Sequence, residues 1–502
     1  MAGRRKDKLS KAALERTRQA VIDIGSNSVR LVIYDGPRRA PFPICNEKAL
    51  CGLGRELGED GSLNPKAVES ALAILARFRS LLAEHGDPPT DIVATAAVRE
   101  AKDGDAFVES VRALGLPVEV IPGGEEAHLS AYGVASFEPG ASGLVGDMGG
   151  GSLELVSLKQ GEPDAAASLS IGPLRLMRAA NGDYKAAGKI VDAAFADLDW
   201  LKNERNSTLF AVGGAWRAIA RVHMGLRNHP LPVLHHYEMN GKDVIGACEL
   251  IMKQSRSSLE ATPGISSKRA DAIPYAALVL RTLISDLKIP TVSISAGGLR
   301  EGLLYRRLEK DVRKFDPLIA GASFFASLLT PEPPMGEAYL EFLAELFPDE
   351  TPSQRRIREA ACLLGDIGAY FHPDMRADQA FDTALRAPFY GVTHPERAAI
   401  ALALFCRHAG AKSPSSGAPV ISLLSDGERK RATDIGLALR FAASIAPKAP
   451  HAILQCFLKA TDGQIEFTAP QNLGGLIDDT VRKRFEALGS ALGAKTAINF
   501  VS

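Results

Sequence analysis

The chain has 502 residues, with 59 Lys and Arg against 59 Asp and Glu, 24% charged and 46% hydrophobic residues. A formal charge of zero excludes a polycationic nucleic-acid binder or an acidic disordered tail as its main character, and the length predicts about three domains, each able to bury its own core. The six cysteines (Cys45, Cys51, Cys248, Cys362, Cys406 and Cys456) form no CxxC pair and lie beside no histidine at ligand spacing, so they are read as reduced and structural.

The basic N-terminal stretch, residues 1–18, enters a strand without the apolar segment of a secretory signal. Nowhere do about 18 apolar residues run together, so a cytoplasmic protein without a membrane span is expected. From 21 to 307 strands and helices alternate. Strands are predicted at 20–24, 29–34, 91–96, 117–121, 143–147 and 152–158, each rich in Val, Ile or Leu and bounded by Gly, Pro or Asn. Between them Pro65 opens a helix reaching Glu84, with Val68, Leu72, Leu75 and Leu82 close to helical spacing. Two segments, 208–220 and 291–305, each read strand, Gly-Gly, helix, and the glycines there admit either a ligand or another backbone. Beyond residue 312 helices are predicted at 318–329, 336–347, 353–371 and 395–409, with loops at 330–334 and 412–419. A hairpin over 454–469 turns at Asp462-Gly463.

The most informative feature is a near repeat, DIGSNSVRLVI at 23–33 and DMGGGSLELVS at 147–157. In each, a strand runs into an Asp and a small polar turn and a strand returns. The backbone N–H groups of Gly25, Ser26, Asn27 and Ser28, and of Gly149, Gly150, Gly151 and Ser152, can point into one concavity and donate to phosphate oxygens, with the Ser hydroxyls adding donors. Asp23 and Asp147 would repel phosphate, so their role is to hold a divalent metal or a water. One such turn fits a plain structural turn equally well. Two matched copies predict two related lobes whose turns face one cleft and grip a phosphoanhydride from both sides.

These two motifs, followed in order by GGEEAHLSAYG (123–133) and SAGGLREGLLY (295–305), resemble the exopolyphosphatase/guanosine pentaphosphate phosphohydrolase (Ppx/GppA) family over roughly residues 20–310. The resemblance implies an α/β chain with two actin-like, ribonuclease-H-like lobes around a cleft, over 19–138 and 139–312. A mainly helical HD-like domain with a small C-terminal α+β cap would follow over 313–502. It implies Mg²⁺-dependent hydrolysis of the terminal phosphate of inorganic polyphosphate, or of the 5′-phosphate of guanosine pentaphosphate, by a homodimer. It also makes Glu126 the catalytic carboxylate, Asp147 and Glu154 catalytic and metal-binding, Asp23 a further metal ligand, and Arg30 and Arg99 phosphate ligands beside the two turns.

Read from the residues alone, each assignment has an alternative. Glu125 and Glu126 equally suit the positive end of a helix. Glu154 faces either the cleft or solvent. Arg99 can pair with Glu100 or Asp103. The His-Asp step of an HD domain reads Gly365-Asp366, which removes the expectation of a second metal site and leaves His372, His394 and His408 isolated. Arg355, Arg356 and Arg358 and the run Arg429-Lys430-Arg431 are candidates for a polyphosphate track, or plain solvated helix faces. Two other functions stay open: a phosphate or nucleotide sensor without catalysis, and an ATP-dependent kinase whose Gly-Gly steps meet adenosine.

Overall fold

The computed structural model describes residues 11–54, 61–414, 417–461 and 463–502, so much of the basic N-terminal stretch and the Asp462 of the predicted hairpin turn lie outside the described residues. The chain forms two compact units, one ending at Asp316 and the other Pro317–Ser502.

In the first unit β1 (Arg16–Ile24), β2 (Val29–Pro37) and β3 (Phe42–Ala49) form an antiparallel meander. Beside β1, β4 (Thr90–Ala94) and β5 (Glu119–Val120) add in parallel, giving the order β3-β2-β1-β4-β5. The second sheet repeats the plan. Antiparallel β6 (Gly143–Met148), β7 (Leu153–Lys159) and β8 (Glu162–Leu169) are followed by β9 (Thr208–Val212) and β11 (Thr291–Ile294), parallel beside β6, with β10 (Tyr237–Asn240) antiparallel at the far edge. These are two ribonuclease-H-like lobes of the actin type, and the sequence repeat opens each of them. Among the strands missed in the sequence, β3, β8 and β10 lie at sheet edges, and the residues of β3 and β8 are mostly exposed or half-buried, so they carry no apolar run. The predicted strand 91–96 stops at Ala94, because Thr95 starts a short helix, Ala96–Glu100.

Helix Pro65–Glu84 forms as its periodicity predicts. Asn64 caps it by accepting from the Lys66 and Ala67 N–H groups, and Ala71, Leu75, Phe78 and Leu82 are buried from it. The lobes exchange helices. Helix Gly123–Phe137, which follows the first sheet, packs Ala127, Ala131 and Val134 against Val145, Val156 and Phe210 of the second. Helix Leu299–Arg306, which follows the second sheet, packs Leu299, Leu303 and Leu304 against Val21, Val32 and Val93 of the first.

In the second unit, helices Pro317–Leu329, Pro352–Leu363, His394–Ala409 and Asp426–Ile445 precede a three-stranded sheet. Its order is β12 (Phe457–Thr461), β13 (Gln464–Pro470), β14 (Lys495–Val501), with helix Asp479–Leu492 between the last two. The predicted hairpin is β12–β13. Phe441, Phe467 and Phe485 interlock beneath it, with Phe441 and Phe485 stacked at 4.8 Å between ring centres. The helix expected over 353–371 ends at Leu363, where Gly365 and Gly368 introduce turns. Among the described residues no helix is long and apolar enough to cross a membrane.

Candidate active site

The two turns have the same closing bond: Gly25 N–H donates to the Ser28 carbonyl at 3.0 Å, and Gly149 N–H to the Ser152 carbonyl at 3.0 Å. Their glycines serve proximity, not a left-handed backbone, since none of Gly25, Gly149, Gly150 and Gly151 has a positive φ. A Cβ on Gly151 would lie 3.4 Å from Ser26 Oγ, and one on Gly150 3.7 Å from Asn27 Cβ and 3.3 Å from Leu174 Cδ1, so the turns approach each other across the lobes. Below the turns the hairpins differ. Asp23 faces Arg30 as a cross-strand pair, whereas Asp147 faces Glu154. Directly opposed carboxylates are unfavourable unless a cation or a proton intervenes. The first hairpin thus presents a guanidinium, and the second a site for positive charge.

Both turns, with Asp23, Arg30, Glu126, Asp147 and Glu154, line one cleft of about 240 Å³. Glu126 enters it from the first turn of helix Gly123–Phe137, and burial pushes its carboxyl up to about 7 against the lowering influence of Arg99, with Asp147 and Asp23 adding repulsion. Its neighbour Glu125 pairs instead with Arg306 at 2.6 Å and stays outside the lining. Asp147 accepts a hydrogen bond from Ser130 Oγ at 2.7 Å and Glu154 one from Ser168 Oγ at 2.9 Å. Glu154 is 2% exposed and faces the cleft, which resolves the two-sided reading of its strand. Burial raises the values of Asp23, Asp147 and Glu154, and the Glu126 and Asp147 charges raise Glu154 further.

Arg99 is placed differently from the expectation. Its Nη1 donates to the Ile121 carbonyl at 2.8 Å and to Glu126 Oε2 at 3.1 Å, and it does not line the cleft. Its guanidinium thus braces the Glu126 carboxylate. The cations that do line the cleft beside Arg30 are Lys48, Arg217, Arg269 and Arg300. Arg300 reaches Asp23 at 3.4 Å, while Lys48 is pushed down to about 8 by burial and by Arg269, Arg30, Arg217 and Arg300. Arg300 and Arg217 lay in segments singled out in the sequence, though not as site residues, while Lys48 and Arg269 carry no local pattern.

The Gly-Gly steps give close backbone packing, and Gly213, Gly214 and Gly298 also line the cleft. Gly213 has φ +100°, and a Cβ there would meet the Met148 carbonyl at 2.4 Å. A Cβ on Gly297 would meet the Gly133 carbonyl at 2.2 Å, because helices Gly123–Phe137 and Leu299–Arg306 cross backbone to backbone. In the second unit, Asp366 lies 3.0 Å from Arg407 and 3.4 Å from Lys448, so side-chain cations meet its charge. Among the described residues no cluster of three or more His, Cys, Asp or Glu is set to hold a metal. Of the cations offered as a polyphosphate track or solvated faces, Arg356 pairs with Glu396, Arg358 and Arg431 with Glu350, Arg429 with Asp426 and Lys430 with Asp434.

Comparison with known proteins agrees with this geometry. Residues 32–311 match the Ppx/GppA phosphatase family, and residues 339–500 match the exopolyphosphatase C-terminal family. The chain is 27% identical to Retrograde regulation protein 2 of Saccharomyces cerevisiae over 79% of this chain and 73% of that protein. It is 29% identical to Exopolyphosphatase 1 of Mycobacterium leprae over 59% of this chain and 90% of that protein. An exopolyphosphatase structure from Cytophaga hutchinsonii superposes with a TM-score of 0.52 at 25% identity, covering 58% of this chain and 97% of that one. The Aquifex aeolicus Ppx/GppA structure gives 0.51 at 24% identity, over 58% and 97%, and shares the fold. With the paired glycine-serine turns and the Glu126 carboxylate in one cleft, these matches establish that the chain belongs to the Ppx/GppA phosphatase family.

Proposed function

We propose that this protein is a Mg²⁺-dependent exopolyphosphatase, in which Glu126 activates the water that attacks the terminal phosphate of inorganic polyphosphate. The observation that carries the reading is a cleft with two opposed phosphate turns at one end and five cationic side chains, Arg30, Lys48, Arg217, Arg269 and Arg300, along its walls. A terminal phosphoryl group seated between the turns would receive backbone N–H and Ser hydroxyl donors from both lobes, and the cations offset the charge of the chain behind it. Glu126, with its carboxyl raised to about 7, matches a base working near neutral pH.

The residues fit a Mg²⁺ ion in its usual manner. Mg²⁺ takes one or two carboxylates, with substrate phosphates and waters completing its shell, and a pair of opposed carboxylates suits that demand. Asp147 and Glu154, buried and opposed, are the residues that would hold it, with Asp23 nearby. Bound there, the ion supplies neutralisation of phosphate charge and polarisation of the phosphoryl oxygens. Glu126 accepts the proton of the attacking water, Arg99 fixes the orientation of Glu126, Ser130 fixes Asp147, and Ser168 fixes Glu154. Retention of this water-directed acid favours hydrolysis over a sensing role. The test is orthophosphate release from long polyphosphate, tripolyphosphate, guanosine pentaphosphate and ATP, with and without Mg²⁺. Preference for the inorganic chains supports the reading; release from guanosine pentaphosphate alone overturns it.

A further inference from the structure

Behind the two phosphate turns lies a second cavity, of about 20 Å³, which shares Ser26, Ala96, Gly150, Gly151 and Leu174 with the main cleft. Gly54, Glu100, Arg175 and Arg178 line the same cavity beyond these residues. Each turn is backed by its own segment. Gly54 N–H donates to the Ser26 carbonyl at 2.7 Å and Gly52 N–H to the Asn27 carbonyl at 3.2 Å. On the other lobe, Leu174 N–H donates to the Gly150 carbonyl at 3.0 Å and Gly172 N–H to the Gly151 carbonyl at 3.2 Å. Two arginines of helix Pro173–Ala179 tie these backings across the seam between the lobes: Arg175 pairs with Glu100, and Arg178 Nη2 donates to the Gly54 carbonyl at 3.1 Å.

We propose that this seam is the exit for product orthophosphate and that the Arg175–Glu100 pair is its gate. The inference rests on the exopolyphosphatase reading. After cleavage, orthophosphate sits between the turns with the shortened chain in front of it, held by the cations of the main cleft. The seam is the other side of the same turns. Its wall there is glycine, serine and alanine together with Leu174, the one bulky side chain that has to turn aside as the path opens. A cavity of this size admits about one water, so the path is closed until the two ties part. Arg175 and Arg178 offer charge-assisted donors to a departing phosphate, and Glu100 competes for Arg175. Parting the ties moves Gly54 and the start of helix Pro173–Ala179, and with them the two turns that release the product.

The test is the dissociation rate of orthophosphate from the preformed enzyme–orthophosphate complex, followed with a fluorescent phosphate sensor, beside single-turnover cleavage of tripolyphosphate. Glu100→Gln removes the carboxylate of a partly exposed pair and is expected to speed dissociation about threefold or more. Arg178→Glu places a negative charge at the mouth and is expected to slow it about threefold or more. Single-turnover cleavage should stay within about twofold in both, which also shows that the variants fold. Unchanged dissociation in both variants, or cleavage that changes in step with it, overturns the proposal. A wild type that binds orthophosphate but cleaves no phosphate chain refutes the exopolyphosphatase reading, while its dissociation rates still decide the seam. Failure to bind orthophosphate overturns both.

Discussion

Glu125 and Glu126 are neighbours in one helical turn, yet one faces Arg306 outside the cleft and the other is buried inside it against Arg99. Glu126→Gln keeps the size and removes the proton acceptor, so kcat is expected to fall by about 10²–10⁴, with Glu125→Gln close to wild type. Equal losses at both positions would show that neither is the base. Because the carboxylate is the working form and burial pushes Glu126 up to about 7, kcat/KM should fall as pH drops below that value. Lys48 gives a second pH signature. Pushed down to about 8 in the empty cleft, it returns toward its ordinary range when a polyanion enters, so phosphate-chain binding should take up protons near pH 8 and cease to do so near pH 6. Calorimetry in buffers of different ionisation enthalpy measures this, and Lys48→Met should abolish it. At this scale the sequence reading reached the groups that sit inside motifs, such as Glu126, Asp147 and Glu154. It missed Lys48, Arg217 and Arg269, which become neighbours only when three separate segments fold together. Arg99 was found, but nothing local reveals that the Ile121 carbonyl and Glu126 claim its guanidinium.

The two β-hairpins and the crossing of helices Gly123–Phe137 and Leu299–Arg306 are the elements that set the cleft. A Cβ at Gly302 would stand 1.8 Å from the Leu129 carbonyl, so Gly302→Ala must push the helices apart. Overpacking of this kind typically costs about 1–3 kcal/mol, and a lowered Tm together with reduced activity is expected, because Glu126 and Arg300 lie at the starts of these helices. An unchanged Tm would mean that the crossing is not closely packed. Gly150→Val acts elsewhere: its branches would press on Leu174 and Asn27 between the two turns, so phosphate release should be abolished while the thermal melt stays near wild type. The periodic helix 65–84 and the strands of both repeats were legible because each buries an apolar face. The outer strands β3 and β8 were not, since their residues are mostly exposed or half-buried, and the Gly-Gly steps were legible as close approaches but not as to which backbone approaches.

Across the whole molecule, every residue assigned to the site lies before Asp316, and in the second unit Asp366 is neutralised by Arg407 and Lys448. The sequence showed this division through the change from alternating strands and helices to mostly helices. The exchange of helices between the lobes was hidden, because apolar periodicity shows that a helix is covered but not by which sheet. Exopolyphosphatase 1 of Mycobacterium leprae is covered over 90% of its length by a match to 59% of this chain. A fragment ending at residue 316 is accordingly expected to keep single-turnover cleavage of tripolyphosphate within about tenfold of the full chain, a loss of at most about 1.4 kcal/mol in transition-state stabilisation. Complete loss in a fragment with a normal melt would assign chemistry to the second unit. The most direct measurement for the central claim is Mg²⁺-dependent orthophosphate release from end-labelled long polyphosphate by wild type and by Glu126→Gln. The account predicts release of label as orthophosphate from chain ends by wild type and its near-abolition by the substitution; no release by wild type, or equal release by both proteins, would contradict it.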